Sequence, residues 1–270
     1  MKKLQLLLSI IFILSFAVSL TFAGDFANLK FIGFSQDGNY VAFEEWGEFD
    51  GIGGNYAKTY IVDTVNNTFA VKPFIYEAYS DRTTESSAKI LKQKYRLAAA
   101  NGLRQFKIVQ GNTGNLILSH LLTDWTFDDN FTTGGSGEKV KFNDYMNQNS
   151  PNQYEFYELK LETFEDKTVE CTNRTGLGVF KLGLTLNYTS HESSSSWSQI
   201  LQKDSVLPTR RNCPYSYRIE SVYFYEDKIL VFLNIFSHGF EGPDMRYMVV
   251  TAQMDYEPVT YSDRAYLPKY

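Results

Sequence analysis

Apolar and polar positions alternate along most of this chain with a period of two, the mark of strands half-buried in a sheet. Leu29 to Phe34 leads into Gln36-Asp37-Gly38-Asn39, a turn built from residues that tolerate positive φ. Tyr40 to Trp46 returns as a strand, Asp50-Gly51-Ile52-Gly53-Gly54 is a loop, and Lys58 to Asp63 is a third strand. Asn66-Asn67 turns the chain into Thr68–Lys72, and Pro73 ends that run. Four short strands in sequence order predict an antiparallel meander.

One segment changes period. Between Thr83 and Gly102, Ala88, Leu91, Tyr95 and Ala98 recur at helical spacing, with Thr84 placed to cap the start and Gly102 after the last turn. This predicts a single amphipathic helix lying on a sheet. Strand patterns resume at Gln105–Val109 and Leu116–Leu122, then at Tyr154–Phe164, Val179–Tyr188, Tyr217–Tyr225, Ile229–Phe236 and Arg246–Gln253. Residues 128–152, rich in Asp, Asn, Gly and Ser, read as an irregular loop and are the one candidate for an internal division of residues 24–270. The run His191-Glu192-Ser193-Ser194-Ser195-Ser196 reads as a polar link, and a tyrosine-bearing tail follows Gln253.

The first 23 residues have the three-part layout of a secretory signal. Lys2 and Lys3 open it, an apolar run follows from Leu4 to about Leu20, and Thr21-Phe22-Ala23 supplies small residues around a cleavage site. The run is close to the ~17–18 residues that span a membrane. Gln5, Ser9, Ser15 and Ser19 dilute it, and no basic stop follows, so cleavage is the expected fate. The mature chain is then expected in the periplasm or outside the cell, with no further segment spanning the membrane.

Composition supports the β reading, since 19 Tyr and 21 Phe suit pleated, half-buried surfaces. Losing Lys2 and Lys3 with the leader takes the formal net charge from −5 to −7. An acidic chain without a basic stripe is a poor match for nucleic acid, whose phosphates need cationic neutralisation. Cys171 and Cys213 are the two cysteines, and export permits them to pair. Closing that loop of about 43 residues would stabilise the fold by roughly 3–4 kcal/mol in the chain-entropy model. Two buried free thiols are the alternative.

Two groups of residues resemble known families. Phe34-Ser35-Gln36-Asp37-Gly38-Asn39-Tyr40-Val41-Ala42-Phe43, followed by Tyr60-Ile61-Val62-Asp63, resembles a blade of the β-propellers of periplasmic proteins similar to TolB. Ala42-Phe43-Glu44-Glu45 with Gly47 and Asp50-Gly51, together with Gly239-Phe240-Glu241-Gly242-Pro243-Asp244 and Arg246-Tyr247, is similar to a bacterial family of predicted secreted proteins. Leu207-Pro208, Arg211, Cys213 and Tyr217-Arg218-Ile219 fit the same family. This second resemblance implies export and a shared fold, and it brings no catalytic residue.

The acidic loops hold the candidate chemistry. Glu44 and Glu45 are neighbours in a strand, so they point to opposite faces and cannot readily serve one site. Both faces are largely apolar, and a buried carboxylate needs a partner. Arg246 is expected to pair with Glu44, Glu45 or Asp244, tying the two ends of the chain together. Asp50, Glu241 and Asp244 supply oxygens of the kind calcium prefers, although the spacing of a helix–loop–helix calcium site is absent. A hydrolase would need two carboxylates ~5–9.5 Å apart, for instance Glu45 and Glu241. The three histidines are widely spaced and offer no zinc pair, and no nucleophile elbow occurs.

These observations predict a mainly β protein of antiparallel meanders with one helical insertion, propeller-like or a two-sheet sandwich. The expected role is a non-catalytic, exported binding or interaction module of the bacterial envelope, facing an envelope protein or a glycan. Its candidate surface comprises Glu44, Glu45, Trp46, Asp50, Glu241, Asp244 and Arg246, with no resident cofactor. A secreted carboxylate-dependent hydrolase acting on a glycan or cell-wall substrate is the alternative.

Overall fold

A computed structural model describes residues 24–121, 138–143, 155–167, 178–190, 196–239 and 242–254. Among the described residues, three antiparallel sheets, one α-helix and a single helical turn make up the fold. The first sheet holds β1 (Asn28–Phe34), β2 (Tyr40–Glu48) and β3 (Gly54–Asp63), with β4 (Thr68–Phe69) and β5 (Phe74–Tyr79) both pairing with β3. The helix α1 (Glu85–Gln105) follows. β6 (Asn115–Ser119) joins a second sheet with β11 (Pro214–Tyr225), β12 (Lys228–His238) and β13 (Pro243–Gln253). A third sheet contains β7 (Lys139–Asn143), β8 (Glu155–Glu165), β9 (Phe180–Ser190) and β10 (Ser196–Lys203).

The layers follow from which side chains each strand buries. On β12, Ile229, Val231, Leu233 and Ile235 pack with Leu159, Leu161, Leu184 and Leu186 of the third sheet. Leu230 and Phe232 pack instead with Phe34, Val41, Phe43 and Val62 of the first sheet. The sheet containing β12 is therefore the central layer, covered on both faces. A near-continuous apolar run is what a strand in that position requires. On the outer side of the first sheet, Ile32, Ala42 and Ile61 meet Leu103, Phe106 and Ile108 from α1 and its exit.

Bulges keep apolar faces aligned where the alternation would otherwise slip. The register between β11 and β12 shifts at Ile219/Ser221, so Tyr217 and Ile219 before it and Val222 and Phe224 after it enter the same cluster. β1 shifts at Phe31/Gly33, where Gly33 has φ +142° and a Cβ would lie 2.4 Å from the Val109 carbonyl oxygen. Only glycine fits that combination.

The mainly β expectation with one helix holds, and the layered packing is closer to a sandwich extended by a further sheet than to a propeller. The Gln36–Asn39 turn forms as expected, with Ser35 Oγ and Asn39 N–H donating to Asp37. Several local expectations need correction. Thr68–Lys72 shortens to the two residues of β4, and β5 begins directly after Pro73. Gln105–Val109 is not a strand, because Gln105 ends α1, Lys107 turns with φ +53°, and Ile108 makes only an isolated bridge to Ser35. Residues 139–143 of the expected loop form β7, paired with β8. Ser196 opens β10 rather than closing a link, because Trp197, Gln199 and Leu201 alternate inward from it.

The helix forms with Thr84 as its cap, accepting from the Ser87 N–H at 3.3 Å. Its buried stripe, however, is Tyr95, Ala99 and Gly102, while Leu91 is 43% exposed and Ala98 also faces outward. Three consecutive alanines at 98–100 give the pattern no contrast, so its phase was one residue out. Gly102 lies within the helix and against the Phe74 ring, not beyond the last turn. The leader, residues 1–23, most of 128–152, the link at 191–195 and the tail lie outside the described residues.

Candidate functional site

Glu44 and Glu45 diverge as a strand requires, and each faces its own cavity of about 510 Å³. Glu45 enters the space between the first sheet and the central sheet. It is 2% exposed, and both its oxygens are engaged. Oε1 accepts from the Tyr60 hydroxyl at 2.7 Å, and Oε2 accepts from the Tyr247 N–H at 3.1 Å. The carboxylate thus joins β2, β3 and β13 across 202 positions of sequence.

The same cavity is lined by Asp244 and Arg246 from β13 and by Arg210 and Arg211 from the single helical turn Thr209–Arg211. Phe69, Pro73, Ile75 and Val249 provide apolar wall. Arg246 does tie the chain ends together, but its partner is Asp25 rather than Glu44, Glu45 or Asp244. Its Nη2 donates to Asp25 Oδ2 at 2.5 Å and its Nη1 to the Asp25 carbonyl at 2.6 Å. The guanidinium also lies over the Tyr56 ring, 4.7 Å from its centroid. Burial opposes the charge of Arg246, yet Tyr56, Asp25 and Glu45 outweigh it and hold its pKa above the ordinary arginine value. Asp25 carries no motif and sits close to the expected cleavage site, so nothing in the sequence pattern singled it out.

Asp244 Oδ1 accepts from the Asp25 N–H at 3.3 Å. Burial raises its carboxyl pKa, Arg246 works the other way, and Asp25 and Asp50 add to the rise. Asp50 is therefore close enough to be felt electrically at Asp244. Glu241 lies outside the described residues, so its expected place beside Asp50 and Asp244, or opposite Glu45, has no structural counterpart here. Among the described residues, no group of three or more His, Cys, Asp or Glu side chains is placed to hold a metal ion.

The two adjacent arginines differ. Arg211 is 7% exposed and forms an ion pair with Asp204, with a second contact from Nη2 to Oδ1 at 3.1 Å. Arg210 stacks over Phe69 at 4.4 Å and makes no ion pair among the described residues. Burial, aided by the charge of Arg211, lowers its pKa from the usual value. The Arg-Arg pair that follows Pro208-Thr209 was the available sequence signal for this part of the lining.

Across the first sheet, Glu44 accepts from the Tyr95 hydroxyl at 2.5 Å, and that hydroxyl also meets Thr59 Oγ1 at 2.7 Å. Tyr95 thereby fixes α1 to β2 and β3, a polar role that its place in a helical apolar stripe conceals. Trp46, 39% exposed, lines this second cavity with Glu44. The structure therefore divides the expected surface. Glu44 and Trp46 lie on the helix side, while Glu45, Asp244 and Arg246 lie between the sheets.

Residues 42–253 match a family described as predicted secreted protein (DUF2259). No curated protein and no solved structure matches the chain.

Proposed function

Since the chain belongs to this family of predicted secreted proteins, we propose that it acts as a non-catalytic binding module of the bacterial envelope. The cavity between the first and central sheets is its binding site, facing an envelope protein segment or a glycan. One observation carries this reading. Arg210, held on Phe69 and without an ion pair among the described residues, borders a cavity of about 510 Å³ that combines apolar walls with fixed polar groups. Glu45 and Arg246 are committed to internal hydrogen bonds, which suits a role in shaping the site rather than in moving protons. No observation on Glu45 favours the hydrolase alternative.

Crosslinking the tagged, exported chain in living cells tests this. Recovery of a partner in fixed proportion, lost in Arg210→Glu while the melting temperature holds, is the expected result. Recovery of the chain alone, or capture unchanged by Arg210→Glu, overturns it.

The reading includes export to the periplasm or beyond, and with it a Cys171–Cys213 disulfide. Cys213 is buried and is not a free thiol, while Cys171 lies outside the described residues. Peptide mapping without reductant should recover the two cysteines in one linked species, and two alkylated thiols would discard the pairing.

A further inference from the structure

The cavity on the helix side carries a separate reading, independent of what occupies the space between the sheets. We propose that it binds an acidic saccharide, a sugar ring bearing a carboxylate.

Charge is the first argument. Lys30 on β1 and Lys92 and Arg96 on α1 all line this cavity, and Glu44 is the acid among its lining residues. Lys92 and Arg96 are four residues apart, so they stand one above the other on one helix face. None of the three cations makes an ion pair among the described residues, and Glu44, which accepts from the Tyr95 hydroxyl, offsets one of the three charges. In a chain whose formal net charge is −5, three cations against one acid around one concavity are a local reversal of sign. Walls of low dielectric focus such a field and draw anions in.

The remaining lining selects among anions. Trp46 is a large aromatic left 39% exposed beside these cations. The negative face of its ring suits the C–H face of a sugar. Asn55 and Gln110, both exposed, place amide groups that can bind sugar hydroxyls around the same space. The volume of about 510 Å³ lies inside the ~300–1,000 Å³ of small-molecule sites. An inorganic anion would leave Trp46 unused, and an apolar helix would need an apolar groove. The exposed Ile90, Leu91 and Leu97 of α1 do not line the cavity.

Titration of the mature protein with oligogalacturonate, followed by calorimetry and tryptophan fluorescence, tests the proposal. The neutral oligosaccharide of equal length, inorganic phosphate and anionic lipid vesicles are the comparison probes. The expected result is saturable binding of the acidic oligomer, at least about tenfold tighter than of the neutral one and weakened by salt. Lys92→Ala with Arg96→Ala should abolish it, and Trp46→Phe should remove the fluorescence change. Lys92 and Arg96 are exposed, so that variant should keep the wild-type melting temperature, and Lys30→Gln provides a second check from another element. Equal affinity for the neutral oligomer overturns the proposal, as does binding that survives the double variant. Phosphate competing fully without need of Trp46, or vesicles binding where the oligomer does not, would also refute it.

Discussion

Arg246 and Asp25, separated by 221 positions, are joined twice, guanidinium to carboxylate at 2.5 Å and guanidinium to backbone carbonyl at 2.6 Å. The Asp25 side chain is 4% exposed and keeps one further partner, the Tyr56 hydroxyl at 2.9 Å. Truncating one member of a buried pair strands the other charge, at a cost of about 3–5 kcal/mol. Arg246 is itself a quarter exposed, which places Arg246→Ala near the lower end, about 3 kcal/mol. Urea denaturation measures this, and an unchanged midpoint would remove the tie between the chain ends from the stability account.

Glu45 should couple to Tyr60. Glu45→Ala leaves the Tyr60 hydroxyl and the Tyr247 N–H without their acceptor, and each orphaned buried group costs about 1–3 kcal/mol. Tyr60→Phe removes one of those donors in advance. A double-mutant cycle should therefore give a coupling of about 1 kcal/mol or more, and additive losses would contradict the geometry.

Asp244 and Asp63 should respond to pH with opposite signs. Burial raises the Asp244 pKa above 3.8, so the folded state holds that proton to higher pH than the unfolded chain. Its contribution is full below 3.8 and is lost as pH rises through the folded value. Asp63 has the reverse shift. Burial pushes its pKa up, but the N–H and side-chain amide of Asn66 and the N–H of Val65 bring it below 3.8 overall. Its contribution is present above 3.8 and lost as pH falls through the folded value. Stability of the wild type relative to Asp244→Asn should therefore fall with rising pH, and relative to Asp63→Asn should fall with falling pH. Denaturation curves from about pH 3 to 7 read both slopes.

Gly102→Ala sets helix propensity against packing. Alanine is better than glycine by about 1 kcal/mol within a helix. At this position its Cβ would lie 2.4 Å from the Phe74 Cζ, so the ring must move. Overpacking of that kind costs about 1–3 kcal/mol. A lower melting temperature is expected, partly restored by Phe74→Leu, and a higher one would show that the ring yields freely.

The sequence alone determined what depends on near neighbours. Alternation placed β2 and sent Glu44 and Glu45 to opposite faces, because side chains of a strand alternate wherever that strand goes. Turn residues placed Gln36–Asn39, and Thr84 marked the start of α1, because those hydrogen bonds close within a few positions. Ile229–Phe236 was legible as a strand as well, while its burial on both faces came from the two layers that pack against it. The tertiary structure decided what depends on distant contacts. Asp25 rather than an acid of the loops received Arg246, since a guanidinium settles on whichever buried carboxylate the fold brings within reach. The phase of α1 was set by Phe74 entering at Gly102, and the two cavities exist because sheet and helix, or sheet and sheet, meet around residues that share no local pattern.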